Sequence, residues 1–194
     1  MSIDDARRWN ARYRRRERES FHRPRAWLVQ HAHYLPARGL ALDTAMGLGG
    51  NAGFLLERGL RVVGVDIAAE ALQRAKARLP ALMAVLADLT RISLPPATFD
   101  VILNFYYLQR ELWPQYRRAL RPGGLLLLET LRHDPRFPRP DVDPAYLLKP
   151  GELQRAFVDW EVLAYREDWS GGKQGHLRPT ASLVARLPTM PTPE

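Results

Sequence analysis

The chain has 194 residues, 46% hydrophobic and 26% charged, which fits one globular domain with or without an extension and a core large enough to stand without disulfides or structural metal. Cysteine is absent, which excludes a disulfide framework, thiolate catalysis, an iron–sulfur cluster and any cysteine-based zinc site. The net charge of +8 comes from 29 basic and 21 acidic residues, and residues 1–40 alone hold 10 Arg against 4 acids, so the excess belongs mostly to an N-terminal arm.

That arm, residues 1–38, reads as helical. Ser2 is placed to cap a first helix, Asp4 and Asp5 fall in its first turn, and Ser2-x-x-Asp5 has the form of a capping box. Trp9 and Tyr13 are four apart and share a face, with Arg12, Arg14, Arg15, Arg16 and Arg18 around the rest. Pro24 interrupts, and a second short helix is expected over about 25–34. Within it His31-x-His33 is not read as a metal site, because alternate residues do not share a helix face and no further ligand is evident. No metal is expected elsewhere.

From Leu40 the text changes to short apolar runs alternating with amphipathic stretches. Strands are expected at 40–46, 61–66, 81–88, 99–105 and 124–130. Helices are expected at 50–58, ending at Gly59, and at 68–79 and about 111–120. Near-continuous apolar strands separated by helices imply a parallel sheet buried on both faces, hence a doubly wound α/β domain. Residues 132–146 hold four prolines and no periodicity, the mark of a long functional loop. A short helix at about 150–157 and two strands, 160–168 and 181–187, follow; joined by a Gly-rich loop, those two look antiparallel. The domain thus spans 39–188, and 189–194 reads as a frayed tail. No run approaches the ~18 apolar residues of a spanning helix, and MSIDDARRWN lacks the apolar stretch of a secretory signal. The expectation is a soluble cytoplasmic protein with no membrane partner. The sequence leaves its oligomeric state open.

Ligands of a doubly wound fold bind at the carboxyl ends of the strands. The first end here is Asp43-Thr-Ala-Met-Gly47-Leu-Gly49-Gly50-Asn51-Ala52, where small residues let backbone approach a ligand and the next helix offers free N–H groups. The second strand ends in Asp66, an acid able to take both hydroxyls of a ribose. The third ends in Asp88, a partner for an adenine amino group. Gly47-x-Gly49-x-x-Ala52 with Asp66 also satisfies a relaxed dinucleotide fingerprint. Three features favour an adenosine cofactor with a methionine-type ammonium: Asp43 as its counter-charge, Asp88, and the Pro-Gly-Gly turn of LRPGGLLLLE before the fifth strand.

These residues resemble the class I S-adenosylmethionine-dependent methyltransferases. LDTAMGLGGNA is similar to the family's first motif, GVD to its second, ADL to its third, FDVILNFYYL to its fourth and LRPGGLLLLE to its last. The likeness covers about residues 40–187. Trp9-Asn-Ala-Arg-Tyr13 and Gly47-Leu-Gly49-Gly50-Asn51-Ala52 resemble signatures of the small bacterial tellurite-resistance-type branch, W-[DN]-x-[RK]-Y and G-x-G-x-N-A. Thr44-Ala45-Met46 departs from the branch's frequent Leu-Ala-Cys but keeps the small residue Ala45. The resemblance implies a Rossmann-like seven-stranded sheet, mostly parallel with an antiparallel last strand pair, and S-adenosylmethionine as cofactor. It implies that Asp43, Gly47 and Gly49 surround the methionine part, with Ala45 and Asn51 also binding the cofactor. Asp66 and Ile67 hold ribose and adenine, and Asp88 and Leu89 close on adenine. Asn104 faces the methyl group, and Trp9 and Tyr13 form a lid.

The acceptor is less legible. Tyr106, Tyr107, His133 and Asp134 are candidates for a catalytic base. Arg110 and Arg132 are candidates to meet an anionic acceptor, and Phe137 and Tyr146 of the 132–146 loop to wall a small molecule. Asn104-Phe105-Tyr106-Tyr107 lacks the prolines of the Asn-Pro-Pro-Tyr-type motif of nucleic-acid amino methylation. The expected activity is methyl transfer to a small molecule by in-line displacement. The alternatives are an RNA or protein methyltransferase docking through the basic arm, a nicotinamide-dependent oxidoreductase, and a module that binds cofactor without catalysis.

Overall fold

The structure is a computed structural model and describes residues 3–15, 22–138, 140, 142–171 and 177–189. Helix α1 (Ile3–Arg15) and the short α2 (Ala26–Gln30), followed by a 3-10 turn at Ala32–Tyr34, precede the sheet. Then come β1 (Leu40–Thr44), α3 (Gly50–Glu57), β2 (Arg61–Asp66), α4 (Ala69–Arg78), β3 (Met83–Leu86), β4 (Phe99–Phe105), α5 (Trp113–Ala119), β5 (Leu120–Leu131), α6 (Glu152–Ala156), β6 (Glu161–Gly171) and β7 (Leu177–Arg186). Among the described residues no helix is long and apolar enough to cross a membrane. The proposed cap Ser2, the arginine at 16 and that at 18, and most of the tail lie outside the described residues.

The seven strands form one sheet in the order β3-β2-β1-β4-β5-β7-β6. The pairs β1–β2, β1–β4, β2–β3 and β4–β5 are parallel. Strand β7 runs antiparallel to both β5 and β6. Of the last strand pair, then, β7 alone is reversed, while β6 shares the direction of the parallel set. The Pro-Gly-Gly expected as a turn before the fifth strand lies inside β5. There Leu120 pairs with Phe99 and Leu125 with Val101, so the register shifts across residues 121–124. Gly123 takes φ +77 and its N–H donates to Leu187 O, which makes the motif a bulge rather than a stop.

Alternation along the strands sorts the core into two layers. Leu42, Ile102, Leu126 and Leu128 pack with Leu112, Tyr116 and Ala119 of the α5 region and with Leu153 and Phe157. Ala41, Val62, Val101, Leu103, Leu125 and Leu127 face the other way, onto Trp27 and Leu28 of α2, Leu55 of α3 and Leu72 and Ala75 of α4. With helices on both faces, the sheet's switch point falls where β1 separates β2 from β4, and a crevice opens beyond their carboxyl ends.

One polar group is sealed in the α5 layer. Tyr116 is fully buried. Its hydroxyl accepts from Asn104 Nδ2 at 2.9 Å and lies 3.3 Å from Thr44 Oγ1. The Thr44 hydroxyl already donates to Leu103 O at 2.8 Å, which leaves the Tyr116 proton for Thr44. A Tyr116→Phe variant strips partners from both neighbours, and a buried polar group without its partner costs about 1–3 kcal/mol. Urea denaturation should show a loss of that size, and an unchanged midpoint would mean that the network does not close as described.

Candidate active site

Beyond Thr44 the backbone turns through Ala45 (φ +51), Gly47 (φ +57) and Gly49 (φ +72) before entering α3. Only glycine adopts such angles without strain, and Ala45 carries that strain at the cavity wall. A Cβ on residue 47 would also stand 2.7 Å from Tyr13 Oη. The loop is braced against the end of β2: Met46 N donates to Val65 O, and Gly47 N donates to Asp66 Oδ2 at 2.8 Å. Asp66 Oδ1 accepts from Ala68 N, also at 2.8 Å.

These residues line a cavity of about 280 Å³. Its walls hold Trp9, Tyr13, Asp43, Ala45, Gly47, Asn51, Asp66, Ile67, Leu89, Tyr106 and Tyr107, so the structure brings together most of the residues expected to form the site. Trp9 and Tyr13 stack at 6.0 Å between ring centroids and pack on Leu48, Ala68 and Ala71. Helix α1 is held there by Asn10, whose Oδ1 accepts from Glu70 N in the first turn of α4. That bond supplies α4 with the cap its own sequence lacks.

Four expected positions do not face the cavity. Asn104 is fully buried and bonds Tyr116 in the opposite layer, because it shares strand parity with Ile102, whereas Phe105 points into the cavity. Gly49 turns the chain into α3 with its free face toward Ala75 and Leu79. Asp88 is tied down by Thr90, which gives both its N–H and its hydroxyl to Oδ1, while its neighbours Ala87 and Leu89 form the wall. His133 is exposed, and its backbone N–H bonds Leu148 O.

The 132–146 loop is likewise absent from the cavity walls as far as its residues are described. Arg132 bonds Asp134 at 3.2 Å and reaches Glu167 at 3.7 Å. Arg110 is clamped by Glu152 and by the carbonyls of Ala145 and Leu147. Both arginines are therefore structural. Hydrogen bonds from Arg136 hold the Asp134 carboxyl well below the usual carboxylate range, so it is no base. Phe137 packs edge-on to Trp169, and Tyr146 is exposed.

Electrostatics divide the cavity into two ends. Asp43 is 1% exposed, and its Oδ2 has no hydrogen-bond partner among the described residues. Burial first, and then the nearby Asp66 carboxylate, push its pKa up to about 8. Asp66 is raised by burial too, against the backbone N–H groups that bond it. At the far end burial raises the hydroxyls of Tyr106 and Tyr107, with Glu129 adding to the effect on Tyr106 and Tyr116 on Tyr107. Tyr106 itself sits at φ +57, an outlier for a bulky residue that strained functional sites retain. The wall also holds Arg12, Arg23, Arg25 and Arg178, which were not expected there; Arg12 falls inside the Trp9–Tyr13 motif and the other three lie outside every motif.

Three arginines of α1 meet acids. Arg7 faces Asp4 at 3.7 Å, Arg8 faces Asp5 at 2.7 Å and Arg14 reaches Glu70 at 3.4 Å.

Comparison with known proteins agrees with this geometry. Residues 41–124 match a family model described as a methyltransferase domain. A probable S-adenosylmethionine-dependent methyltransferase of Mycolicibacterium smegmatis is 31% identical over 105 residues, 51% of this chain and 40% of that protein. The trans-aconitate 2-methyltransferase of Azoarcus sp. is 37% identical over 99 residues, 47% of this chain and 39% of that protein. The chain thus matches about two fifths of the length of these relatives. The crystal structure of TehB from Haemophilus influenzae superposes with a TM-score of 0.73 at 19% identity, covering 82% of this chain and 60% of that one; at that identity the likeness is one of fold.

The raised Asp43 pKa sets a pH dependence. Between the unfolded value near 3.8 and the folded value of about 8, the native state holds a proton that the unfolded chain has released. Stability measured without added ligand therefore falls as pH rises through that window. Asp43→Asn should flatten this slope and raise the melting temperature relative to wild type above about pH 8, by roughly 2–4 °C per kcal/mol relieved. Thermal melts from about pH 5 to about pH 9 check this; parallel curves for the two proteins would contradict the assignment.

Proposed function

Taking as premise a methyltransferase domain over residues 41–124 on the class I methyltransferase fold, we propose that the chain transfers a methyl group from S-adenosylmethionine to a small-molecule acceptor by in-line displacement. The observation that carries this reading is the pair of buried carboxylates at the switch point. Asp66 is engaged by backbone N–H groups, and Asp43 is left with an unpartnered oxygen beside it. A buried carboxylate oxygen without a partner is costly, and an ammonium group placed against Asp43 answers it.

In this arrangement Asp43 holds the ammonium of the methionine part, with Gly47 giving backbone access. Asp66 retains lone pairs for the ribose hydroxyls while it braces the loop, and Ile67 and Leu89 sandwich the adenine. Trp9 and Tyr13 on α1 close over the bound molecule as a lid. When bound, the cofactor supplies a methyl group already activated on a sulfonium centre. The chain's own part is to orient the partners and exclude water, which in well-aligned cases is worth several kcal/mol.

A small acceptor suits a cavity of this size, whose lining includes Phe105, Tyr106 and Tyr107 together with Trp9 and Tyr13 of α1. One relative is named for trans-aconitate, itself a small molecule. Docking of RNA or protein through the arm finds less support, because several of its arginines pair with nearby acids.

Isothermal titration tests the reading. S-adenosylmethionine or S-adenosylhomocysteine should bind and NAD(H) should not, and Asp66→Ala should weaken binding at least about tenfold, a loss of roughly 1.4 kcal/mol or more. Binding of NAD(H) in place of the sulfonium ligand would sink the proposal. An Asp66→Ala affinity within a factor of about two of wild type would remove the ribose assignment.

A further inference from the structure

Next to the cavity, on the α2 face of the sheet, lies a buried carboxylate that the cofactor site does not use. Glu129 stands near the carboxyl end of β5, in register with Phe105 of β4 and Ser182 of β7, and is 4% exposed. Alternation along β5 turns it to the side of Leu125 and Leu127, into the layer that packs on Trp27. A carboxylate there is costly unless polar groups meet it. Ser182 Oγ donates to its Oε2 at 2.8 Å, and the Arg166 guanidinium on β6 stands at 3.8 Å from the same oxygen. Tyr106 is tied to it twice. The Tyr106 backbone N–H donates to Glu129 O at 2.8 Å, and the Tyr106 hydroxyl donates to the Glu129 carboxyl. Ser170 Oγ lies 3.5 Å from that hydroxyl and itself accepts from Thr180 Oγ1 at 2.8 Å. The Arg25 guanidinium lies 4.4 Å from the centroid of the Tyr106 ring. Backbone, hydroxyl and ring are thus all held, which sustains the strained φ of +57 at this residue.

Tyr106 lines the cavity and Glu129 does not. Among the described residues the lining holds no histidine, lysine or glutamate, and its two acids are Asp43 and Asp66, which the function proposed above gives to the cofactor. A tyrosine backed by a buried carboxylate is how a base can reach such a cavity. We propose that Tyr106 and Glu129 together take the proton of the methyl acceptor, and that this acceptor is a small phenol. The proposal rests on the function proposed above and names its substrate class. A lone pair of the acceptor oxygen forms the bond to the methyl carbon as the carbon–sulfur bond breaks, and the electrons of that bond stay on sulfur. The acceptor's proton passes to Tyr106 Oη while the proton already on Tyr106 passes to the Glu129 carboxylate, which afterwards releases it to solvent. Tyr106 ends as it began. A phenol matches this relay because its hydroxyl titrates at about 10, as an ordinary tyrosine does, so exchange between the two oxygens is nearly level. An aliphatic alcohol holds its proton far more tightly. Burial, and then the Glu129 charge, raise the Tyr106 hydroxyl above its ordinary value, which favours uptake of the proton. The rings of Phe105 and Tyr107 in the same lining offer faces to an aromatic acceptor. Tyr106 is the catalytic residue, and Glu129 is a positioning residue that acts through it.

The experiment gives the full chain S-adenosylmethionine with para-cresol or, separately, para-nitrophenol at about pH 8, and follows release of S-adenosylhomocysteine. At that pH para-cresol is protonated and needs a base, whereas para-nitrophenol is largely ionised and needs none. Wild type should methylate para-cresol. Glu129→Gln keeps the size of the side chain and an acceptor for Ser182 but cannot take a proton. Tyr106→Phe removes a single oxygen and keeps the test open should the buried amide upset folding. In each variant the fall in kcat with para-cresol should exceed the fall with para-nitrophenol at least tenfold, and Glu129→Asp should recover part of the loss. Titration with S-adenosylhomocysteine shows that the cavity of each variant is intact. Equal losses with the two phenols would mean that Glu129 merely holds the wall in shape, and would overturn the relay, as would full activity of both variants with para-cresol. Wild type that binds S-adenosylmethionine but methylates neither phenol also overturns the proposal and leaves the function proposed above standing. Wild type that does not bind S-adenosylmethionine removes that function and the relay with it.

Discussion

The site depends on one constraint: two carboxylates are buried at adjacent strand ends, and one oxygen of Asp43 has no hydrogen-bond partner among the described residues. Asp66 is stabilised by the chain itself, through the N–H groups of Gly47 and Ala68, and those bonds hold the left-handed loop after β1 in place. Asp43 is provided for only in part: the Ala52 N–H bonds its carboxylate, and its Oδ2 has no partner among the described residues. Desolvating an acid in this way opposes folding, and the protein tolerates it because layers of fully buried Leu, Ile and Val on both sheet faces outweigh it. A local violation of good packing inside an otherwise consistent fold is where a binding site is to be sought. The unpartnered Asp43 oxygen is such a violation.

How far the sequence could be read follows from how local each signal was. The parallel strands at 61–66 and 99–105 and the acids Asp43 and Asp66 were legible because each sits inside a short apolar run or directly after one. Gly47 was legible from the turn that it must make. Asn104 failed by one residue of strand parity: the motif located the end of β4 correctly, but the alternation of side chains gives the cavity to Phe105 and the α5 layer to Asn104. Asp88 lies outside the cavity lining, and a local turn with Thr90 takes one oxygen of its carboxylate. The loop 132–146 looked functional by length and proline content, yet its ion pairs tie it to β6 and to its own backbone.

Arg25 and Arg178 were not legible at all, for a topological reason. One follows a proline in the arm and the other opens the last strand, 153 residues later by their numbering. Both line the cavity only because β7 inserts antiparallel between β5 and β6, which carries its first residues to the end of the sheet where β4 and β5 finish. A pattern read within one segment cannot reveal a pair assembled by that insertion. Asn10 is a milder case. It lies inside a recognisable Trp-Asn-Ala-Arg-Tyr stretch, but its task, to cap α4 from another helix, needs the packing of α1 to be known.

The net charge of +8 therefore divides into parts with different meanings. On α1, Arg7, Arg8 and Arg14 face acids of the same helix or of α4, an arrangement that steadies a solvated helix and gives little free field for a polyanion. Around the cavity both signs occur: Asp43 and Asp66 share the lining with Arg12, Arg23, Arg25 and Arg178. The Arg25 charge acts on Asp43 against the effect of burial, and the Glu129 carboxylate acts on Tyr106. Acid and guanidinium are therefore interleaved along the wall, and each tempers the field of the other.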